Sequence, residues 1–314
     1  MPASLCSAAM PAPAIEVRNL TKSYGSNDAV KGIDLTVERG EIFALLGPNG
    51  AGKTTTVEIL EGHRKRSGGE VSVLGHDPGR GERAFKERIG IVLQETGVEP
   101  YLTVAEVIDL FRGYYPDPLP VDRIVELVGL HEKRDTRVSK LSGGQQRRLD
   151  VAVGLAGNPD LLFLDEPTTG FDPSARRGAW KIVKDLAGEG KTIFLTTHYM
   201  DEAQFLADRV AIIVGGRIIA EGPPSTLATH DLATTTVSFA LPEGRSLPES
   251  FGAASVAGDL VELKTSEPMR TLNELTGWAL AEGVELQGIS VSRPSLEDVY
   301  LDLTADRRER SEAT

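Results

Sequence analysis

The sequence predicts an α/β domain built on a mainly parallel sheet, followed by a small α+β unit. Short continuous apolar runs recur along the chain, at Ile42–Leu46, Ile89–Leu93, Leu161–Leu164, Ile193–Thr196 and Val210–Val214. Such runs suit parallel strands covered on both faces, and helical patterns separate them. Pro223-Pro224 then punctuates the chain, and the character of the sequence changes beyond it. With 314 residues, at about 150 per domain, one main domain plus an accessory unit is expected.

Composition narrows the function classes. The net charge of −12 argues against a protein that coats nucleic acid, which needs a basic face, so no nucleic-acid partner is expected. Cys6 is the only cysteine, which excludes an intramolecular disulfide and fits a reducing compartment. No apolar run reaches the roughly 18 residues of a membrane helix. Residues 1–14 are small, rich in Pro and Ala and free of Lys and Arg, so they read as a disordered leader rather than a secretory signal.

Taken in order, Ile15 to Val37 reads as antiparallel strands, because Ile33, Leu35 and Val37 alternate and Gly25-Ser26-Asn27-Asp28 signals a turn. The strand Ile42–Leu46 runs into Gly47-Pro48-Asn49-Gly50-Ala51-Gly52-Lys53-Thr54-Thr55 and then a helix from Lys53 through Leu60. This fits G-x-x-x-x-G-K-[ST] in full. Glycines let backbone N–H groups turn inward around anionic oxygens, and the helix N-terminus adds a favourable dipole. Lys53 is expected to reach β- and γ-phosphates, and the Thr54 hydroxyl to bind Mg²⁺.

Residues from about Thr103 to Leu155 read as mostly helical, with a capping box at Thr103 and Glu106 and a loop at Pro116 to Pro120. Within them, Leu141-Ser142-Gly143-Gly144-Gln145-Gln146-Arg147-Arg148 opens a helix with bare N–H groups, a second anion site of the same physical kind. A plain loop-to-helix junction fits equally. The strand Leu161–Leu164 ends in Asp165 and Glu166, two carboxylates that are costly at the end of a buried strand unless they have a task. Asp165 is placed to hold Mg²⁺, directly or through water, and Glu166 to accept a proton from, or orient, an attacking water. The alternative is a strand cap facing solvent.

Beyond Pro224, Thr235 to Leu241, Leu260 to Thr265 and Val284 to Val291 read as strands, and Met269 to Ala281 as a helix. Leu296 to Leu303 reads as a short helix opened by Pro294-Ser295. The charged residues 305–314 read as a disordered tail.

On these motifs the chain resembles the nucleotide-binding subunit of ATP-binding-cassette (ABC) transporters. Gly47 to Thr54 is similar to the family's Walker A, Leu161 to Glu166 to its Walker B, and Leu141 to Gln145 to its signature sequence. Tyr24 matches the aromatic that stacks on adenine, Gln94 the Q-loop glutamine, Asp172 the D-loop and His198 the switch histidine. The resemblance implies a P-loop ABC ATPase domain over 15–222, with a helical subdomain at about 95–158, and an accessory or dimerisation domain over 223–304. Phe171 stands where the family commonly has leucine, and Asp135 to Lys140 lacks the Glu-rich pattern of many exporters with fused domains.

The implied cofactors are ATP and Mg²⁺, and the implied assembly is a head-to-tail homodimer with each ATP between Walker A of one subunit and the signature of the other. Lys53 and the loop Gly47 to Thr55 would hold phosphates. Thr54, Gln94 and Asp165 would arrange Mg²⁺. Glu166 would polarise water, His198 would contact the γ-phosphate, and Asp172 would sense the opposite subunit. Ser142, Gly143, Gly144 and Gln145 would meet the partner's nucleotide.

Ser295 to Leu301 resembles the end of the ATPases of ABC-2-type exporters, including drug and antibiotic self-resistance systems. That implies a cytoplasmic subunit, peripheral on the inner face of the cell membrane, which powers a separate permease. Tyr101, Leu102 and Val104 are candidate permease contacts, and Leu296, Val299 and Leu303 a face for docking on the partner subunit. An importer ATPase and a soluble, non-transport ABC ATPase are the alternatives.

Overall fold

The computed structural model describes residues 12–92, 97–227, 235–242, 245–248, 251, 254–292, 296, 297 and 300. The chain divides into two compact units, Met1–Pro223 and Pro224–Thr314.

The first unit holds two sheets. Strands β1 (Ile15–Tyr24), β2 (Asn27–Val37) and β4 (Gly68–Val73) form an antiparallel sheet in the order β2-β1-β4. Alternation sets its buried face: Ile15 pairs with Val37 and Val17 with Leu35, all four buried. The register slips after Val17, where Asn19 takes a left-handed φ of 47°, the signature of a bulge. The turn between β1 and β2 is Gly25-Ser26 alone, so Asn27 and Asp28 already belong to β2 rather than to the turn expected from sequence.

The second sheet has six strands in the order β5-β6-β7-β3-β8-β9: β3 (Ile42–Leu46), β5 (Ile89–Val92), β6 (Leu161–Asp165), β7 (Thr192–Thr197), β8 (Arg209–Val214) and β9 (Arg217–Gly222). The first five are parallel, which agrees with their unbroken apolar runs. The edge strand β9 runs antiparallel to β8 across Gly215-Gly216, whose φ values of 56° and 81° make the tight reversal. Phe43, Phe163 and Phe194 sit side by side on one face of β3, β6 and β7, with ring centroids 5.6 Å (Phe43–Phe194) and 5.8 Å (Phe163–Phe194) apart.

Among the described residues of this unit, seven α-helices accompany the sheets: α1 (Lys53–Leu60), α2 (Arg83–Lys86), α3 (Val104–Arg112), α4 (Val121–Leu127), α5 (Gly143–Leu155), α6 (Pro173–Gly188) and α7 (Met200–Leu206). The capping box read at Thr103 and Glu106 opens α3. Val104, read from sequence as a candidate permease contact, is fully buried and serves internal packing, whereas Tyr101 is 74% exposed and Leu102 half-buried.

The second unit comprises α8 (Pro224–Leu227), β10 (Thr235–Ala240), β11 (Ala254–Ala257), β12 (Leu260–Thr265), α9 (Pro268–Glu282) and β13 (Gln287–Ser292). Its sheet is antiparallel throughout, in the order β11-β12-β10-β13. Leu275 and Val284 pack with Val237, Phe239, Val261 and Leu263 to make a separate core. The strand expected from Val284 begins only at Gln287, for a local reason. Gly283 caps α9 in the left-handed region, and the Val284 N–H donates to the Ala279 carbonyl at 2.8 Å, so that residue closes the helix instead of joining a ladder. Leu296, expected to face a partner subunit, is fully buried within the chain. Val299 and Leu303 lie outside the described residues.

Candidate active site

Because β3, β6 and β7 are adjacent and parallel, their carboxyl ends open on one edge of the sheet, where α/β proteins bind ligands. The glycine loop leaves β3, Asp165 and Glu166 end β6, and His198 follows β7. Gln94 lies outside the described residues.

The loop from Gly47 to Gly52 owes its course to specific glycines. A Cβ at Gly47 would stand 2.3 Å from the Ile213 carbonyl oxygen, and Gly52 has φ +106° with the Ala29 carbonyl oxygen 2.6 Å from its would-be Cβ. Gly52 therefore starts α1 without a side-chain cap, and Asn49, Gly50 and Thr54 are exposed at the loop's mouth, with Pro48 and Thr55 half-buried and Ala51 buried. The Lys53 ammonium is buried and donates to the Gly47 carbonyl at 2.7 Å and the Pro48 carbonyl at 3.3 Å. It also lies 3.3 Å from Glu166 Oε1.

Glu166 is the hub. Its φ of 46° is in the left-handed region, uncommon for a residue with a side chain. Its N–H donates to the Thr196 carbonyl at 3.2 Å and to Thr196 Oγ1 at 3.1 Å, while the Thr196 hydroxyl donates to Asp165 Oδ1. One threonine thus orients both acids, and it can do so because Asp165 and Thr196 are register partners across β6 and β7. Thr169 Oγ1 donates to Glu166 Oε2 at 3.2 Å, and His198 Nδ1 lies 3.1 Å from the same oxygen. Burial pushes the Glu166 carboxyl up, but the nearby His198 ring and the Lys53 charge outweigh it and hold the group below the ordinary carboxylate range.

Tyr24 ends β1 with a partly exposed ring, Lys22 Nζ 4.9 Å and Arg64 Cζ 5.3 Å from its centroid. A ring flanked by cations suits a planar, anionic ligand. Ser142 caps α5 through a capping box: its Oγ accepts from the Gln145 N–H at 3.4 Å, and Gln145 Oε1 accepts from the Ser142 N–H at 3.0 Å. The bare helix start read from sequence is corrected to that extent, while Ser142 and Gly143 remain exposed and Gly144 half-buried. Asp172 is the N-cap of α6, accepting from Ser174 N–H at 2.8 Å and Ala175 N–H at 3.0 Å, and these bonds hold its carboxyl below the usual range.

Sequence reading missed Thr196, Thr169 and Arg147. Thr196 carried a signal, a hydroxyl directly after the apolar stretch Ile193 to Leu195 of β7. Thr169 and Arg147 become visible only once the loop after β6 is folded.

Residues 30–169 match the family described as "ABC transporter", and residues 235–295 match "ABC transporter domain-containing protein-like, C-terminal domain". The chain is 37% identical over 305 residues to Nod factor export ATP-binding protein I of Burkholderia lata, an alignment that covers 94% of this chain and 98% of that protein. The chain belongs to the ABC transporter ATP-binding family. This ABC ATPase is also 38% identical over 325 residues to the daunorubicin/doxorubicin resistance ATP-binding protein DrrA of Streptomyces peucetius, covering 96% of this chain and 97% of that one. Its structure is similar to that of cbiO1 from Clostridium perfringens, part of the ABC transporter complex cbiONQ, with TM-score 0.63 and 29% identity over 70% of this chain and 92% of that one. It is likewise similar to a dimeric ATP-binding cassette in a post-hydrolysis state bound to ADP and Pi, with TM-score 0.59 and 26% identity over 67% of this chain and 98% of that one. The ABC ATPase binds ATP and hydrolyses it. Among its described residues no helix is long and apolar enough to cross a membrane.

Proposed function

We propose that this ABC ATPase powers an ABC-2-type exporter, working as a head-to-tail homodimer on a separate integral-membrane permease at the inner face of the cell membrane. The cargo class is drug-, antibiotic- or lipid-like. The names of the export and resistance relatives support this reading, since the alignments span nearly the whole length of both chains. Residues 15–222 are the ATPase domain and 223–304 the accessory domain in this reading.

The observation that carries the chemistry is the position of Glu166 between Lys53 and His198. A carboxylate held ionised at the end of β6 is suited to take a proton from, or orient, the attacking water. Lys53 and the amides of Gly47 to Thr55 hold the phosphates, with Lys53 exchanging its loop carbonyls for phosphate oxygens. His198 contacts the γ-phosphate, Tyr24 stacks on adenine, and Gln94 is assigned with Thr54 and Asp165 to arranging Mg²⁺. Ser142 to Gln145 and Asp172 serve the interface with the second copy. Thr54 and Asp165 are hard oxygen donors, the latter fixed by Thr196, and this is the donor type that Mg²⁺ takes beside substrate phosphates. Mg²⁺ there would neutralise charge developing on the phosphate oxygens.

The test is Glu166→Gln in the full chain. It is expected to bind ATP, to lose turnover by about 100-fold or more, to accumulate as a dimer in Mg-ATP, and to co-purify a polytopic membrane protein from the native host. Unchanged turnover would overturn the role of Glu166. Recovery of soluble partners alone would overturn the transporter assignment.

A further inference from the structure

Arg147 stands in the first half of α5, five residues after Ser142, and is buried. Arginine is almost never buried without partners. Its guanidinium reaches across to the loop after β6, where Nε donates to the Pro167 carbonyl at 3.1 Å and Nη2 to the Asp165 carbonyl at 3.4 Å. These carbonyls belong to the residues immediately before and after Glu166. The peptide that joins Asp165 to Glu166 is therefore held at both ends: its C=O accepts from Arg147 and its N–H donates to Thr196. This is the peptide that leads into the left-handed Glu166.

Asp150, on α5, accompanies the guanidinium with Oδ2 3.7 Å from Nη1, which offsets part of the cost of burying the charge. A cleft of about 480 Å³ is lined by Gly143, Gln146, Arg147, Asp150, Glu166 and Thr169, so the start of α5 and the carboxylate share one wall.

We propose that Arg147 is a positioning residue for Glu166. By gripping the carbonyls on either side, it holds the left-handed backbone that aims the carboxylate, and it ties the Ser142–Gln145 helix start to the hydrolytic loop of the same subunit. Two carbonyls in different directions call for the fork of a guanidinium, which a lysine does not supply. The proposal rests on the reading that Glu166 acts on the attacking water.

The test uses Arg147→Met and Arg147→Lys in the full-length chain, each alone and combined with Glu166→Gln, at a temperature where circular dichroism shows every variant folded. Arg147→Met is expected to lower kcat at least about tenfold while KM for ATP moves less than about threefold, the pattern of a lost transition-state interaction. Arg147→Lys, with a single donor group, should recover part of kcat. In the Glu166→Gln background, Arg147→Met should change the residual rate less than about twofold, because the two residues act through one carboxylate. A folded Arg147→Met with kcat near wild type overturns the proposal, as does a full further loss in the Glu166→Gln background. Wild-type turnover in Glu166→Gln alone would instead strike the reading beneath it.

Discussion

Thr168 and Glu202 are joined by a buried hydrogen bond, the Thr168 hydroxyl donating to Glu202 Oε1 at 2.8 Å. The same oxygen accepts from Trp180 Nε1 at 3.0 Å. One carboxyl group thereby fastens three pieces of chain: the loop two residues beyond Glu166, the helix α6 that Asp172 caps, and α7, which follows His198. Glu202 is fully buried, and burial pushes its carboxyl up against the opposing effect of these bonds.

Glu202→Ala is therefore expected to lower unfolding stability by about 2–4 kcal/mol, since it leaves two donors without their acceptor and opens a cavity. Glu202→Gln retains an acceptor oxygen and should cost about 1 kcal/mol. Urea unfolding of the nucleotide-free protein measures both. Equal losses for the two variants would mean that neither the side-chain volume nor the acceptor oxygen that Gln retains governs this position.

The glycines of the phosphate loop are expected to differ in kind. Gly50 has a left-handed φ of 78° but open space around its would-be Cβ, so Gly50→Ala meets only backbone strain of about 1–2 kcal/mol. At Gly47 a Cβ would meet the Ile213 carbonyl oxygen at 2.3 Å, inside the buried strand β8. Gly47→Ala should lower the melting temperature much more than Gly50→Ala, in the absence of nucleotide. Similar melting temperatures would show that β8 yields to the added methyl.

Sequence made the six-stranded sheet legible where its strands are unbroken apolar runs, because full burial on both faces leaves no other use for Phe43 to Leu46 or Leu161 to Leu164. It also made the site legible, since the glycine loop and the paired acids are contiguous motifs. Strands β4, β9 and β11 escaped it. Gly68-Gly69-Glu70 opens β4 with turn residues, and β9 follows directly on the Gly215-Gly216 reversal. Contacts that depend on tertiary folding escaped it as well: the Thr196 clasp on Asp165 spans 31 residues of chain, and Arg147 lies 20 residues from Pro167. Asp172, matched in sequence to the D-loop, also caps α6, as an Asp before Pro-Ser-Ala favours.

Glu61, at the end of α1, is 3% exposed, and its carboxyl is pushed up to about 8, first by burial and then by the nearby charges of Asp165 and Glu58. Below its ordinary value of 4.5, the group is protonated in both the folded and unfolded chain and makes no difference to stability. Between 4.5 and about 8 the unfolded chain releases the proton while the folded chain keeps it, so the folded state binds more protons and stability falls as pH rises. Above about 8 both are ionised and the penalty is constant. Glu61→Gln cannot ionise and escapes this loss. It is expected to match wild type near pH 5 and to exceed it by a margin on the order of a few kcal/mol at pH 8, measured by urea unfolding without nucleotide. His63 Nδ1, 3.3 Å from Glu61 Oε2, is the group that could reverse the outcome. If wild type instead gains on the variant as pH rises from 4.5, Glu61 is ionised in the folded chain through that pair, and burial does not govern its charge.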